Sequence, residues 1–195
     1  MRPQLDRAVF LDRDGTLTHD AGYTYRVDDL RLLDHVVEGL RLMSTLGLRL
    51  IVTTNQSGIA RGYFTVEEMH AFNQRLIEVL REHGIALDAV YYCPYHPAAS
   101  VAEFRLDSPQ RKPQPGMILQ AAREHHIDLS RSYTIGDKKS DILSGKAAGC
   151  TTILVLTGMA GADEAESEVE PDYIARDLLE AAQMIQRMEA ARESP

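Results

Sequence analysis

The sequence has little of what marks a secreted, membrane-bound or nucleic-acid-binding protein. Its 195 residues include two cysteines, Cys93 and Cys150, which are too few for a disulfide scaffold and typical of a reducing compartment. No apolar run approaches membrane-spanning length, and residues 1–6 lack the apolar core of a secretion signal. The formal net charge of −8 argues against a nucleic-acid partner. We therefore expect a cytoplasmic protein with a single domain over residues 1–195.

A short apolar run leads directly into two aspartates. Residues 8–11 predict a buried strand, and Asp12, Asp14 and Gly15 follow it. In open α/β sheets the reactive crevice lies beyond the carboxyl ends of the strands. Because the aspartates are two residues apart on an extended backbone, their side chains start on the same side. Such close carboxylates repel each other unless a cation lies between them, and Mg²⁺, which prefers oxygen ligands, fits that place.

The remainder of the chain alternates predicted strands with predicted helices. Further strands are predicted over residues 48–53, 87–92, 132–136 and 151–156. Helices are predicted over residues 36–46, from Thr65, from Pro115, over 141–148 and over 177–192. Because helices return the chain across the sheet, the strands should be parallel. The sequence therefore predicts an α/β fold, a three-layer sandwich around a mainly parallel central sheet.

Two irregular segments interrupt this alternation, and we call them the flap and the specificity loop. The flap, residues 17–29, is polar without a helical period and is predicted to lean over the end of the first strand. The specificity loop, residues 93–113, contains four prolines. It is too long for an ordinary connection, which is typical of a functional loop.

Chemically useful side chains follow several of the predicted strands. They are Asp12, Asp14, Thr54, Asn55, Arg111, Lys112, Asp137, Lys138 and Asp141. A carboxylate such as Asp12 can attack phosphorus and divide a hydrolysis into two displacements, while Mg²⁺ and a lysine neutralise the phosphoryl oxygens. A second carboxylate, Asp14, can donate a proton to the leaving alkoxide. For Asp12 and Asp137 to share one ion, the fourth strand must lie beside the first.

In this order, the motifs resemble those of the haloacid dehalogenase superfamily of phosphohydrolases. The resemblance rests on Asp12-x-Asp14-Gly15-Thr16, Thr54, Lys112 and Gly136-Asp137-x-x-x-Asp141. Within the superfamily, residues 10–16, 54–62 and 111–113 are similar to the D-glycero-D-manno-heptose 1,7-bisphosphate phosphatases and the related histidinol-phosphate phosphatases. The resemblance extends from about Val9 to the last helix and implies a minimal cap.

The resemblance implies a role for each matching residue. Asp12 would be the nucleophile and Asp14 the general acid and base, while Thr54 and Lys112 would steady the phosphoryl group. Asp12, the backbone carbonyl of Asp14 and Asp137 would hold Mg²⁺. Arg111 would recognise the substrate through its second phosphate. The substrate pocket would be lined by Asp20, Ala21, Gly22, Tyr23, Asn55, Gln56, Ser57 and Lys138.

The specificity loop departs from the family in its metal ligands. Members commonly carry zinc on a Cys-x-His pair followed by a Cys-x-Cys pair. Here Cys93 remains, but Tyr95, Ser108 and Gln110 replace the other three ligands. A tetrahedral site needs four donors, so we predict no zinc. The loop should instead be held by proline stiffness and by packing of Tyr95, Phe104 and Leu106.

The implied activity is removal of the 7-phosphate from a heptose 1,7-bisphosphate, in the synthesis of nucleotide-activated heptose for lipopolysaccharide. The length of the specificity loop favours this substrate over histidinol phosphate, by analogy alone. Histidinol phosphate or another small sugar phosphate remains an alternative substrate. A second alternative, from a different functional class, is a non-catalytic homologue that binds a phosphorylated ligand. The expected partner is a small phosphorylated sugar, bound by a monomer.

Overall fold

Six parallel strands form one sheet at the centre of the molecule. The structure is a computed structural model and describes residues 5–163 and 169–193. The strands are β1 (Ala8–Leu11), β2 (Arg49–Asn55), β3 (Ala89–Cys93), β4 (Tyr133–Gly136), β5 (Thr151–Val155) and β6 (Tyr173–Ala175). The α-helices are α1 (Val36–Thr45), α2 (Ser57–Arg61), α3 (Val66–Glu82), α4 (Gly116–Glu124), α5 (Lys139–Ala148) and α6 (Leu178–Glu193).

The strand order places β1 in the middle of the sheet. The order is β3-β2-β1-β4-β5-β6, and every neighbouring pair is parallel. Leu11 is paired with Val52 of β2 on one side and with Ile135 of β4 on the other. This confirms the predicted parallel sheet and the predicted adjacency of the first and fourth strands. The carboxyl ends of β1, β2 and β4 therefore meet at one edge.

Alternation along β1 divides the core into two layers. Val9 and Leu11 face a cluster built with α1, α3 and α6, while Ala8 and Phe10 face a smaller cluster with α4. All four side chains have no exposed surface. Since apolar side chains cover both faces of the sheet, the three-layer sandwich is confirmed. Cys93 and Cys150 are buried and carry free thiols.

Two short elements were not predicted from the sequence. The strand β6 has three residues, of which Tyr173 and Ile174 are exposed, so it carries no buried apolar run. The helix α2 has five residues, fewer than a helical period needs to be recognised. Among the described residues, no helix combines the length and the apolar character needed to cross a bilayer.

Candidate active site

The first carboxylate after β1 is paired with a lysine from the end of the specificity loop. Asp12 and Lys112 are each 4 % exposed. The Nζ atom of Lys112 donates to Oδ1 of Asp12 at 2.9 Å and to the backbone carbonyl of Thr53 at 2.8 Å. It also lies 2.6 Å from Oδ1 of Asp141. The lysine therefore lies between two buried carboxylates, one directly after β1 and one in the first turn of α5.

This pairing keeps both partners charged despite their burial. Burial alone would raise the pKa of the Asp12 carboxyl, but Lys112 and Lys138 hold it below its usual value. Burial alone would lower the pKa of Lys112, but Asp12 and Asp141 raise it above its usual value. Asp12 is therefore an ionised carboxylate, which is the form that can attack phosphorus.

Three carboxylates converge where β1 and β4 end. Asp12, Asp137 and Asp141 each offer an oxygen, and these oxygens all lie within 4.8 Å of one another. Burial, and then the charge of Asp12, raises the pKa of Asp137 to about 7. Burial raises the pKa of Asp141 to about 6, against the opposing effect of Lys112. The cluster therefore holds more negative charge than its own lysines balance, and a divalent cation would relieve this excess.

A second lysine approaches the same oxygens from the solvent side. The Nζ atom of Lys138 lies 3.7 Å from Oδ2 of Asp12 and 3.8 Å from Oδ2 of Asp20 in the flap. It also donates to the backbone carbonyl of Asp14 at 3.4 Å. Although burial opposes it, the charges of Asp12 and Asp137 raise the pKa of Lys138 above its usual value. The structure thus places Asp20 and Lys138 together at the mouth of the site.

The second carboxylate after β1 has its own set of hydrogen-bond partners. Asp14 accepts from Arg13 through both oxygens, at 2.8 Å each. The side-chain amide of Gln56 donates to Oδ2 of Asp14 at 2.9 Å and to the hydroxyl of Thr54 at 2.8 Å. Gln56 therefore connects two predicted catalytic residues. The predicted metal ligand on Asp14 is its backbone carbonyl, which faces Lys138.

The loop after β5 covers Asp137. The backbone N–H of Met159 donates to Oδ2 of Asp137 at 2.7 Å, and the hydroxyl of Thr157 donates to the carbonyl of Gly15 at 2.7 Å. Gly158 lies between them with φ +55°, and a Cβ atom there would collide with the Asp137 carboxylate and with Gly15. A glycine is required at this place because the loop backbone approaches the carboxylate so closely.

The flap and the segment after β2 meet around aromatic rings. Tyr23 of the flap makes an edge contact with Tyr63, with ring centroids 4.8 Å apart. The guanidinium of Arg61 lies 5.9 Å from the centroid of Tyr23. Inside the flap, the backbone N–H of Gly22 donates to Asp20 at 2.8 Å. The aromatic contacts hold the flap against α2 and the residues that follow it.

The specificity loop is tied to the end of β2. Asn55 exchanges two hydrogen bonds with the backbone of Lys112, donating at 3.0 Å and accepting at 3.1 Å. Arg111 donates to the carbonyl of Tyr95 at 3.4 Å. Burial, together with the like charge of Arg61, lowers the pKa of Arg111 from its usual value.

The packing predicted inside the specificity loop is only partly present. The rings of Tyr95 and Phe104 lie with centroids 6.1 Å apart, but Leu106 is 49 % exposed, so that part of the prediction was wrong. Ser108 is buried and its hydroxyl accepts from the backbone N–H of Gln110 at 3.2 Å. The loop reverses direction with hydrogen-bonded turns at this point, which an apolar pattern does not reveal.

The structure adds residues that sequence reasoning missed. Arg13, inside the first motif, was assigned no role, and neither were Asn73 of α3 or the loop residues Thr157, Gly158 and Met159. The available signal was a Thr-Gly pair directly after a predicted strand, which marks a turn at the reactive edge. For Asn73 no signal exists, since it belongs to a helical pattern and differs from its neighbours only in being polar and buried.

Comparison with known proteins places these features in a family. A family model described as HAD-hydrolase-like matches residues 110–181. The D-glycero-beta-D-manno-heptose-1,7-bisphosphate 7-phosphatase of Escherichia coli (strain K12) is 40% identical over 183 residues, which cover 93% of this chain and 95% of the relative. The protein of that name from Yersinia pestis is 41% identical and covers 91% of this chain and 94% of its own length.

A solved structure agrees with the sequence relatives. The D,D-heptose 1,7-bisphosphate phosphatase from B. bronchiseptica, complexed with magnesium and phosphate, superimposes with a TM-score of 0.81 at 28% identity. The match covers 93% of this chain and 99% of that one. The parallel sheet, the carboxylates at its edge and these relatives point to one conclusion. The chain belongs to the HAD-like phosphatases, in the family that includes the D-glycero-beta-D-manno-heptose-1,7-bisphosphate 7-phosphatases.

Proposed function

We propose that this phosphatase removes the 7-phosphate of D-glycero-β-D-manno-heptose 1,7-bisphosphate, using Mg²⁺ and an aspartyl-phosphate intermediate on Asp12. The observation that carries the proposal is the buried pair of Asp12 and Lys112 beside Asp137, in a chain 40% identical over 183 residues to an enzyme of that name. The pathway would be the synthesis of nucleotide-activated heptose for lipopolysaccharide.

The residues at the ends of β1 and β4 fit a magnesium ion. Their oxygens lie within 4.8 Å of one another, and Mg²⁺ takes oxygen ligands while keeping positions for water and phosphate. The ammonium of Lys138 already lies near Asp12 and the carbonyl of Asp14, so a cation is favourable there. We propose Asp12, the carbonyl of Asp14 and Asp137 as the ligands, with Asp141 as the ion-pair partner of Lys112. When bound, Mg²⁺ would neutralise charge on the phosphoryl oxygens.

The chain's own residues account for the two displacements. Asp12 attacks phosphorus, the bond between phosphorus and the substrate oxygen breaks, and Asp14 gives its proton to that leaving oxygen. A water molecule then attacks the phosphorus of the aspartyl phosphate and gives its proton to Asp14, which frees inorganic phosphate and restores Asp12. Lys112 and the hydroxyl of Thr54 steady the phosphoryl group throughout. The preorganised charges of these residues lower the barrier without reorganising during the reaction.

Substrate recognition is proposed to use the surfaces of the flap and the specificity loop. Arg111 is bonded to an uncharged carbonyl and has a second guanidinium, that of Arg61, in its surroundings. Two guanidinium groups favour a dianionic ligand such as a second phosphate. The sugar would contact residues 20–23 of the flap, residues 55–57 after β2, and Lys138. We further infer that the enzyme is a cytoplasmic monomer with one domain. Size-exclusion chromatography would test whether it is a monomer.

The substrate is tested by steady-state phosphate release from the heptose bisphosphate and from histidinol phosphate, each with Mg²⁺. We expect a higher kcat/KM for the heptose bisphosphate. Faster turnover of histidinol phosphate would refute the proposed substrate. Removal of Mg²⁺ with a chelator should abolish turnover of both.

The nucleophile is tested with a matched pair of aspartate variants. Asp12→Asn should remove nearly all turnover, because an amide does not attack phosphorus. Asp34→Asn changes an exposed aspartate before α1 and should leave turnover unchanged. Acid-quenched wild-type enzyme should carry phosphate on Asp12, whereas turnover by Asp12→Asn at the wild-type rate would refute the mechanism.

A further inference from the structure

Arg13 is a buried cation between two reactive aspartates. It has no exposed surface and is among the largest of the fully buried side chains. A guanidinium does not lose its charge in a protein, so its burial requires compensating partners. The hydrogen-bond partners of Arg13 therefore indicate its role.

The guanidinium is held by five groups, one of which is the side-chain oxygen of Gln56, which accepts from Nη2 at 3.1 Å. Its Nε and Nη2 atoms donate to the two oxygens of Asp14 at 2.8 Å, which is the bidentate geometry that arginine forms with carboxylates. Its Nη1 atom donates to Asn73 of α3 at 2.8 Å, and Nη2 also lies 3.1 Å from the carbonyl of Thr24 in the flap. The ring of Phe72 covers its face at 4.5 Å. Three of these groups, Asn73, the carbonyl of Thr24 and Phe72, lie outside the reaction and fix the fork.

Fixing the fork fixes the carboxylate that it grips. Both oxygens of Asp14 accept from Arg13, and Gln56 adds a third donor to Oδ2. The orientation of Asp14 is thereby transmitted from α3, whose position depends on the core and not on the substrate. An aspartate that follows a strand without such partners would rotate about its own side-chain bonds, and proton transfer requires a defined geometry.

We propose that Arg13 is the positioning residue for Asp14, holding its carboxyl group where it can exchange a proton with the leaving oxygen. The inference rests on the proposed function, because it assumes that Asp14 is the general acid and base. Arg13 is assigned no direct role in the two displacements. Its contribution should therefore be seen in the steps in which Asp14 gives or takes a proton.

The experiment compares two leaving groups in the variant Arg13→Lys. Lysine keeps the charge and most of the length but has no planar fork, so it does not form the bidentate pair. The alkoxide of the heptose bisphosphate needs a proton to leave, whereas the phenolate of p-nitrophenyl phosphate does not. Both substrates form the same aspartyl phosphate, whose hydrolysis also uses Asp14, so the comparison is made on kcat/KM, which includes only the steps up to departure of the leaving group. Since general acid catalysis contributes ~10²- to 10⁴-fold, we expect kcat/KM for the heptose bisphosphate to fall by roughly 10²-fold. The kcat/KM for p-nitrophenyl phosphate should change by less than about 5-fold.

Asp14→Asn and the double variant separate the two assumptions. Asp14→Asn should show the same leaving-group dependence as Arg13→Lys. The double variant that carries both changes should be no slower than Asp14→Asn alone, because the two changes remove the same function. If Asp14→Asn lowers kcat/KM equally for both substrates, the general-acid role in the proposed function is wrong. If Asp14→Asn shows the dependence and Arg13→Lys does not, only the positioning role of Arg13 is wrong.

Two further variants control for folding. Arg49→Lys alters an arginine that pairs with Asp6 and Asp88 at the opposite end of the sheet, and it should change neither rate. Asn73→Ala removes one bond to the guanidinium and leaves the charge pair with Asp14 intact. It should give a smaller loss with the same leaving-group dependence, so the proposal is tested even if Arg13→Lys does not fold. An equal loss on both substrates in Asn73→Ala would overturn the proposal.

Discussion

Replacing Asp137 by asparagine should make the metal-free protein more stable while it removes activity. Asp137 accepts from the backbone N–H of Met159 and from the hydroxyl of Thr16, at 2.7 and 3.3 Å. An asparagine keeps both contacts, since its oxygen accepts from Met159 and its amide donates to the Thr16 oxygen. What it removes is one negative charge from a fully buried position beside Asp12 and Asp141.

The size of the effect follows from the pKa of Asp137. Burial and the charge of Asp12 raise that pKa from 3.8 to about 7 in the folded protein. A tenfold change in proton affinity corresponds to about 1.4 kcal/mol, so ionising Asp137 costs the folded state at most about 4 kcal/mol. Structural relaxation and entering water reduce this cost, and we expect a gain of about 1–3 kcal/mol. For a chain of this size that corresponds to a melting temperature roughly 2–10 °C higher.

The sign of the pH dependence is fixed by the direction of the shift. Between the unfolded pKa and the higher folded pKa, the folded state binds more protons, so the stability of the wild type falls as pH rises through this range. The advantage of Asp137→Asn should therefore be small near pH 4 and full above about pH 7. At the higher pH, millimolar Mg²⁺ should stabilise the wild type and not the variant, because the variant replaces a proposed carboxylate ligand of the ion with a neutral amide.

The assay is thermal unfolding of both proteins with a chelator and with Mg²⁺ across this pH range, alongside phosphate release. Asp34→Asn is the control, since it removes an exposed charge and should leave both melting temperatures unchanged. The reasoning would be refuted by a metal-free variant that is less stable than the wild type above pH 7, or by an advantage that persists at pH 4.

Three further outcomes are expected from the same site. Thr157→Val removes the hydrogen bond to the carbonyl of Gly15, which fixes the loop whose Met159 N–H holds the proposed ligand Asp137. The change should weaken Mg²⁺ binding about 10-fold by calorimetry, because groups that orient ligands affect affinity. Unchanged affinity would exclude this role for the loop. Lys112→Met leaves Asp12 without its buried partner and should cost roughly 3 kcal/mol in chemical denaturation, with turnover lost; unaltered stability would contradict the pairing. Metal analysis of the purified protein should find no stoichiometric zinc, and one equivalent would refute the interpretation of the specificity loop.

The sequence by itself determined the architecture and the chemistry of the site. The apolar run before Asp12 is short and uniform, and helical patterns separate the later predicted strands, so the sequence specifies parallel strands whose ends meet at one edge. Residue types with few alternative uses, such as two acids one residue apart after a strand and a lysine between prolines, indicated phosphoryl transfer. The relatives confirm the family that these motifs predicted. Local pattern was sufficient here because periodicity and strand ends are properties of neighbouring residues.

Only the tertiary structure decided how the reactive groups are oriented. Arg13 grips Asp14 because Asn73, 60 residues away, fixes the guanidinium, and Lys112 reaches Asp12 across 100 residues. The backbone of the loop after β5 covers Asp137 through an N–H group that every non-proline residue possesses. Contacts of this kind depend on which elements pack together, and no spacing along the chain encodes them. The sequence supplies the charged groups, while their geometry and their pKa values arise from the burial and the neighbours that folding brings.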